Sequence, residues 1–505
     1  MAWDESRQLL SKNMNQFAAI RSQRSIRILI AAVGVIFILS IFWLLPSAST
    51  TKVLGFGQGH KTDSQPTAKT ITTDNALITD LSHYFADYPI QKPFKERYGE
   101  LGRRNRVLRD WLIQADTSSD PTKALLLNAV EEVAISQYPF LQNPQQPKSH
   151  HPLGDLRSSF DPNSAGIVIP TSDKTLRYAA HLIGSLRSVL NSTLPIQVVY
   201  AGDDDLSPTN RNHLSSLAAS GPPITFLDIL TIFDDTTLKL QTGGWAIKAF
   251  AALGSTFEKV ILADADAVFL QPPEVLLHQE AFLHKGALLF HDRLLWKHAF
   301  EGRHEWWRDQ IRRPSDEMNA SLVWTEDYAE EADSGLVVLD KSRHDTLMGL
   351  LHICWQNSYE VREETTYKIT YGDKESWWFG LELAGAQYEF SKHYGGIVGW
   401  ENVDEQGRRG VCSFVIAHVD SKNRLLWYNG SLLKNKGQSG MENEYQVPDK
   451  WMIDAEWVKG ARKQDHSCMV EGEVRSLTPE EMGVLERSIA LAKMVDALVR
   501  PVEGD

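Results

Sequence analysis

The sequence predicts an α/β domain on a largely parallel sheet, carried behind an N-terminal transmembrane helix and a stalk. Three observations carry this expectation. An uncharged apolar run stands near the N-terminus, and a Ser/Thr/Gly/Pro-rich stretch follows it. From Gly166 onward, short apolar runs alternate with segments of helical period, the pattern of parallel strands joined by right-handed helical crossovers.

The anchor is residues 28–45, "ILIAAVGVIFILSIFWLL". At the helical rise this run covers about 27 Å, close to the hydrocarbon thickness of a bilayer. Trp43 stands near one end, where interfacial aromatics belong, and Arg7, Lys12, Arg21, Arg24 and Arg27 precede the run. Residues 1–27 are therefore expected as a cytosolic tail, with everything after Pro46 across the membrane. A cleaved signal peptide, ending at "SAS" (Ser47–Ser49), is the competing reading; the apolar run is long for it and starts late. Residues 46–74 hold too few apolar side chains to fold and read as a flexible stalk.

Residues 75–150 read as helical, because "RVLRDWLIQAD" and "KALLLNAVEEVAISQY" carry apolar residues at steps of three and four. "QNPQQPKSHHPLGDLRSSFDPNSA" then reads as a linker or surface loop. Residues 151–435 are taken as the catalytic domain and 436–505 as a C-terminal extension. In the domain, "GIVIP", "PIQVVYA", "PITFLDI" and "EKVILAD" are the candidate strands. "KTLRYAAHLIGSLRSVL", "NRNHLSSLAAS" and "WAIKAFAAL" are the helices between them; the first places Leu176, Ala180, Ile183 and Leu190 on one face.

Ligands of such sheets sit beyond the carboxyl ends of the strands. Asp264 and Asp266 lie there, at the end of the fourth strand. Residues two apart in an extended segment share a face, so the two carboxylates would converge while Ala265 faces away. Carboxylates so placed repel unless a cation stands between them, and a hard divalent ion with open positions for phosphate oxygens suits the geometry. Two solvated carboxylates at a strand end is the plainer reading, against which stand the apolar flanks and the small Ala263, Ala265 and Ala267.

A net charge of −13 over 505 residues argues against a broad electrostatic grip on nucleic acid. Cys354, Cys412 and Cys468 form no CxxC pair, which excludes a zinc ribbon or thioredoxin-like site. Cys412 and Cys468 would bridge in an oxidising compartment; three free thiols is the alternative.

"KVILADADAVFLQPPEVLL", with "GGWAIKAFAAL" upstream and "DSGLVVLDKSRH" and "YGDKESWWFGLELAG" downstream, resembles the fungal Golgi α-mannosyltransferases, type II membrane enzymes of the GT-A fold of nucleotide-diphospho-sugar transferases. The resemblance spans roughly residues 166–430. It implies GDP-mannose as donor, manganese (Mn2+) as the ion, retention of anomeric configuration, and a mannose-containing glycan or glycoprotein as acceptor, with α-1,3 favoured over α-1,2 linkage. It also implies a single-pass place in the Golgi membrane, with the catalytic domain luminal. By the same resemblance, Asp264 and Asp266 would hold the metal and His418 would be its third ligand. Lys248 would face the donor phosphates, Asp333, Ser334 and Gly335 would lie near the donor sugar, and Asp373, Lys374 and Glu375 would line the sugar–acceptor junction.

Read from chemistry alone, glycosyl transfer needs leaving-group stabilisation, which a divalent ion and a lysine supply. An inverting enzyme also needs a carboxylate base, for which Asp373 or Glu375 would serve, so the residues leave the stereochemistry open. The plainer readings are a solvated Lys248, Asp333 as a turn residue, Asp373 as a helix cap and His418 as a packed histidine. Trp306 and Trp307 are expected in the core, whereas Trp377 and Trp378 stand equally for core packing or for stacking on sugar. Of the sequons at Asn191, Asn319 and Asn429, the last is expected as a structural Asn-Gly turn. A UDP-sugar transferase and a non-catalytic luminal protein of the same fold are the remaining alternatives. A phosphatase or nuclease would need more carboxylates and histidines near the pair.

Overall fold

The computed structural model describes residues 75–217, 221–404, 406–462 and 465–499. The cytosolic tail, anchor and stalk expected over 1–74 lie outside these residues. Among the described residues, no helix is long and apolar enough to cross a membrane.

Helices α1 (Asn75–Asp87), α2 (Tyr98–Thr117) and α3 (Thr122–Gln137) come first. The alternating half follows as β1 (Asp161–Pro170), α4 (Leu176–Ser188), β2 (Ile196–Tyr200), α5 (Pro208–Ser216), β3 (Ile224–Asp228), α6 (Ile247–Gly254) and β4 (Phe257–Ala263). Then come β5 (Ala267–Phe269), β6 (Ala287–Leu289), α7 (Glu301–Gln310), β7 (Leu336–Asp340), α8 (His344–Asn357), α9 (Ser376–Ala384) and β8 (Glu389–Phe390). The central sheet has the order β3-β2-β1-β4-β7-β6-β8. Strands β3, β2, β1 and β4 are mutually parallel, as the alternation predicts, while β7 runs antiparallel to both β4 and β6.

The central stretches of the strands are apolar because the sheet is covered on both faces. Period-two alternation sends Val168, Val199, Val260, Leu262, Val337 and Leu339 into one core. It sends Ile167, Ile169, Val198, Ile261 and Val338 into the other. Each such side chain, fully buried, contributes roughly 1.5–3 kcal/mol relative to exposure.

The described residues before 151 and after 435 pack with those between them in one compact unit. The N-terminal helices complete the first core. At Gly102 of α2 a Cβ would stand 2.5 Å from the Leu383 carbonyl oxygen, so a side chain there would push the two helices apart. Arg106 and Arg109 of α2 donate to the carbonyls of Leu383 and Gly385, both at 2.9 Å, which satisfies the C-terminal end of α9.

The C-terminal residues are equally integral. Strands β9 (Ile397–Val403), β10 (Arg409–Ser413), β13 (Lys450–Met452), β14 (Glu456–Val458), β15 (Ser467–Val470) and β16 (Arg475–Ser476) make an antiparallel sheet in the order β14-β15-β10-β9-β13-β16. Cys412 of β10 and Cys468 of β15 are bridged, while Cys354 is free and buried. A third sheet pairs β11 (Ile416–Val419), β12 (Leu425–Asn429) and β5. The last helix, α10 (Pro479–Val499), returns to α4, where Asp496 accepts from Arg177 and Tyr445 and is bonded to His181 at 2.8 Å.

Candidate active site

A cleft of about 540 Å³ opens beyond the carboxyl ends of β1, β2 and β4. Lys248, Asp264, Asp266, Asn429 and Lys436 line it, with Trp245 and Tyr178 on its walls.

The two aspartates reach the cleft by a different route from the one expected. Strand β4 stops at Ala263, and Asp264–Ala267 is a tight turn closed by the Ala267 N–H on the Asp264 carbonyl at 3.0 Å. The Asp264 N–H donates to the Gly335 carbonyl at 2.9 Å, which draws the exit of β4 against the approach to β7. The turn, not strand alternation, presents both carboxylates, and Ala265 lines the cleft with them instead of facing away. Each carboxylate has its own lysine. Asp264 Oδ1 is 2.9 Å from Lys248 Nζ, and Asp266 is paired with Lys436.

Lys248 is not a solvated lysine. It sits in the first turn of α6 with its side chain 4 % exposed, and its Nζ also lies 3.2 Å from Asp373 Oδ2. It donates to the Ser334 carbonyl at 2.6 Å and to the Ser334 hydroxyl at 3.0 Å. Burial works against its charge, but Asp264 and Asp373 outweigh it and raise its pKa. Burial likewise raises the Asp264 carboxyl, with Lys248 opposing and Asp373 adding its repulsion. The Asp264 side chain keeps 26 % of its surface open to the cleft.

Behind this row stands a second, fully enclosed one. Asp373 Oδ2 accepts from the Trp377 indole at 2.8 Å, and Glu375 accepts from the Trp378 indole at 2.6 Å. Both tryptophans are buried in the core, so neither is available to stack on sugar. They orient the two carboxylates from adjacent positions of α9. Trp307 packs edge-on against Trp378 and Trp306 donates to the Lys95 carbonyl, in keeping with their expected core placement. Glu375 also accepts the backbone N–H of Glu331 at 3.1 Å and that of Ala332 at 3.4 Å, which fastens α9 to the segment before β7. Lys374 turns away from the cleft to Asp292 and Glu330; burial disfavours its charge, and these two carboxylates more than restore it.

His418 does not join the aspartate pair. Its Nε2 is bonded to Asp333 Oδ2 at 3.0 Å, and its ring stacks on Trp427 at 4.4 Å. Asp333 is itself buried, accepting at Oδ1 from the Gly335 N–H and from the Asn429 amide, both at 2.9 Å. Burial opposes its ionisation, but the His418 hydrogen bond holds its carboxyl well below the usual carboxylate range. Both residues shape the wall of the cleft from behind. Gly335 is needed there, because a Cβ would come within 2.4 Å of the Asn429 amide nitrogen. Asn429 is not the turn residue expected: it ends β12, and its amide serves Asp333 at the wall of the cleft. Among the described residues, no group of three His, Cys, Asp or Glu side chains is gathered to hold a metal.

Lys436 and Trp245 escape sequence reasoning. Lys436 is 170 residues from its partner Asp266 and bears no motif of its own. Trp245 was visible only as part of "GGWAIKAFAAL"; its indole is 49 % exposed and its ring centroid is 5.3 Å from that of Tyr371, two residues before Asp373.

Burial pushes the Glu375 carboxyl up to about 8, against the pull of Arg303 and from an ordinary value of 4.5. Between these values the folded chain holds a proton that the unfolded chain has lost, so this group's contribution falls as pH rises from about 5 to 8. Glu375→Gln is expected to flatten that part of the stability profile, read as thermal midpoints across the window. An unchanged slope would show that Glu375 does not titrate there.

A family model described as mannosyltransferase matches residues 164–420. The alpha-1,3-mannosyltransferase MNT3 of Saccharomyces cerevisiae is 30 % identical over 289 residues, covering 50 % of this chain and 44 % of that protein. The alpha-1,3-mannosyltransferase MNN1 of the same yeast is 25 % identical over 347 residues, covering 58 % and 43 %. The chain thus spans less than half the length of these curated relatives. Among solved structures, the S. cerevisiae mannosyltransferase Ktr4p in complex with GDP aligns over 63 % of this chain and 83 % of its own, at 10 % identity and a TM-score of 0.30.

Proposed function

The chain belongs to the mannosyltransferase family, and we propose that its cleft transfers mannose from GDP-mannose to a mannose-containing glycan, forming an α-1,3 linkage on a GT-A scaffold. The observation that carries this reading is the convergence of Lys248, Asp264 and Asp266 on one cleft at the carboxyl end of the sheet. Family relatives named alpha-1,3-mannosyltransferases support the linkage.

The residues fit a divalent cation such as manganese. Asp264 and Asp266 present carboxylate oxygens to one cleft from a single turn, and these oxygens would hold the ion. A bound ion supplies charge neutralisation for the departing diphosphate. Lys248 fixes the Asp264 carboxylate in place, and Lys436 brings a second ammonium to the phosphate side of the cleft. Retention is supported by the state of the other carboxylates. Asp373 is held by Lys248 and Trp377, and Glu375 by Trp378 and the backbone, so neither is presented as a base to an acceptor hydroxyl. The Cys412–Cys468 bridge supports a luminal, oxidising location, consistent with a Golgi type II membrane protein.

The test is mannose transfer by the purified full chain from GDP-mannose to an α-mannobioside, with manganese or EDTA, followed by linkage analysis. Manganese-dependent formation of an α-1,3 product is expected. Transfer from UDP-sugars alone would overturn the donor, and an α-1,2 product would overturn the linkage. Trp245 and Tyr371 form an exposed aromatic wall beside Asp373, suited to the C–H face of the acceptor sugar. Trp245→Ala is expected to raise the acceptor KM about tenfold, the equivalent of about 1.4 kcal/mol, while leaving GDP affinity unchanged; an unaltered KM would remove the wall from acceptor binding.

A further inference from the structure

A second cleft, of about 440 Å³, lies apart from the first and combines two distant parts of the chain. Trp296 and Tyr328 form one side; Glu456, Trp457 and Lys459, from the C-terminal sheet beyond the matched family segment, form the other. Trp296 is 50 % exposed. Its backbone is left-handed, with φ 51°, and His298 follows at φ 62°. Such values are outliers for a bulky side chain, and they persist only where surrounding structure imposes them. Here the neighbouring segment does so: the His298 N–H donates to the Asp327 carbonyl at 2.7 Å, and the Ala329 N–H to the Leu295 carbonyl at 3.0 Å. The fold thus bears a conformational cost that keeps an indole in solvent.

We propose that this cleft binds a neutral hexose chain, the distal sugars of the glycan acceptor. The exposed Trp296 indole flanked by hydrogen-bonding groups suits a sugar ring, with Glu456 and Lys459 within the same cleft for hydroxyls. The other cations nearby are already matched: Lys297 pairs with Glu326 at 2.6 Å and lies over the Tyr328 ring, and Arg293 lies 3.4 Å from Asp292 and over the Trp457 ring. That pairing favours an uncharged ligand over an anionic one. Lys374 supplies the link to the reaction centre. It binds Asp292, four residues before Trp296, and Glu330, two residues after Tyr328, while adjoining Asp373 in sequence. One side chain therefore joins both segments of the Trp296 wall to the segment that lies behind the first cleft.

The choice of mannose as the sugar rests on the reading of the first cleft. The test is calorimetric titration of the full chain with methyl α-mannoside, with linear α-mannotetraose, and with GDP plus manganese. The tetraose is expected to bind at least tenfold more tightly than the monosaccharide. Trp296→Ala should abolish that difference without altering GDP affinity, and Trp296→Phe should retain most of it. A tetraose affinity equal to that of the monosaccharide, or one indifferent to Trp296→Ala, would overturn the proposal. Failure of the transferase reading would look different: no GDP binding and no transfer, with Trp296-dependent tetraose binding intact.

Discussion

Lys248→Met is expected to destabilise the fold by about 3–5 kcal/mol, the cost of leaving a buried charge without its partner, and to abolish transfer. The methionine keeps the apolar stem, so the loss is that of the ammonium. Nζ stands 2.9 Å from Asp264 Oδ1 and 3.2 Å from Asp373 Oδ2. Asp264 can relax toward the cleft, but Asp373 is 2 % exposed and would keep only the Trp377 indole and the Ser334 hydroxyl. Its charge carries most of the penalty. Lys248→Met combined with Asp373→Asn should therefore recover much of the stability but not the activity. Urea unfolding midpoints for the two variants decide the matter. A single variant as stable as the parent would mean that the Asp264–Lys248–Asp373 row is not an interdependent charge cluster.

Asp266→Ala is the complementary case, with a large effect on rate and a small one on stability. On the proposed function, Asp266 helps hold a cation on the departing diphosphate, a stabilisation worth several kcal/mol, so transfer should fall on the order of a thousandfold. The side chain is 18 % exposed, and its partner Lys436 is 30 % exposed. Loss of this partly solvated pair should cost under about 1 kcal/mol. Single-turnover rates with saturating GDP-mannose, alongside unfolding midpoints, separate the two quantities. A variant that kept a tenth of the parental rate would sink the assignment of Asp266 to the leaving group.

The alternating half of the fold was legible because parallel strands covered on both faces are nearly all apolar. "GIVIP", "PIQVVYA" and "EKVILAD" each lie on the strand expected. Strand β7 was legible as an apolar run but not in direction, because orientation depends on the path between strands and not on composition. The C-terminal sheet was illegible for another reason: its strands are 2–7 residues long, leaving too few residues for a period to show, and some, such as β10 with β15, pair across long separations. At the site, Asp264, Asp266 and Lys248 could be singled out because each sits at a strand end or in the helix before one. Which carboxylate meets which cation could not be read. That is decided by contacts such as Lys436 with Asp266, on which spacing is silent. Trp377 and Trp378 show the same limit. Their indole N–H groups serve Asp373 and Glu375 inside the core, a role that composition cannot distinguish from sugar stacking.

The matched family segment ends at residue 420, yet β9 and β10 lie in the middle of a six-stranded sheet. A chain shortened to that limit would strip β13 from β9 and β15 from β10, opening a row of unpaired backbone groups on each side. Open edges of this kind are templates for intermolecular pairing. The same cut would leave Cys412 as a lone thiol beside one of them, so that strand addition could be locked covalently in an oxidising compartment. A chain shortened to residue 420 is therefore expected to aggregate through these edges, which size-exclusion chromatography beside the full chain would show.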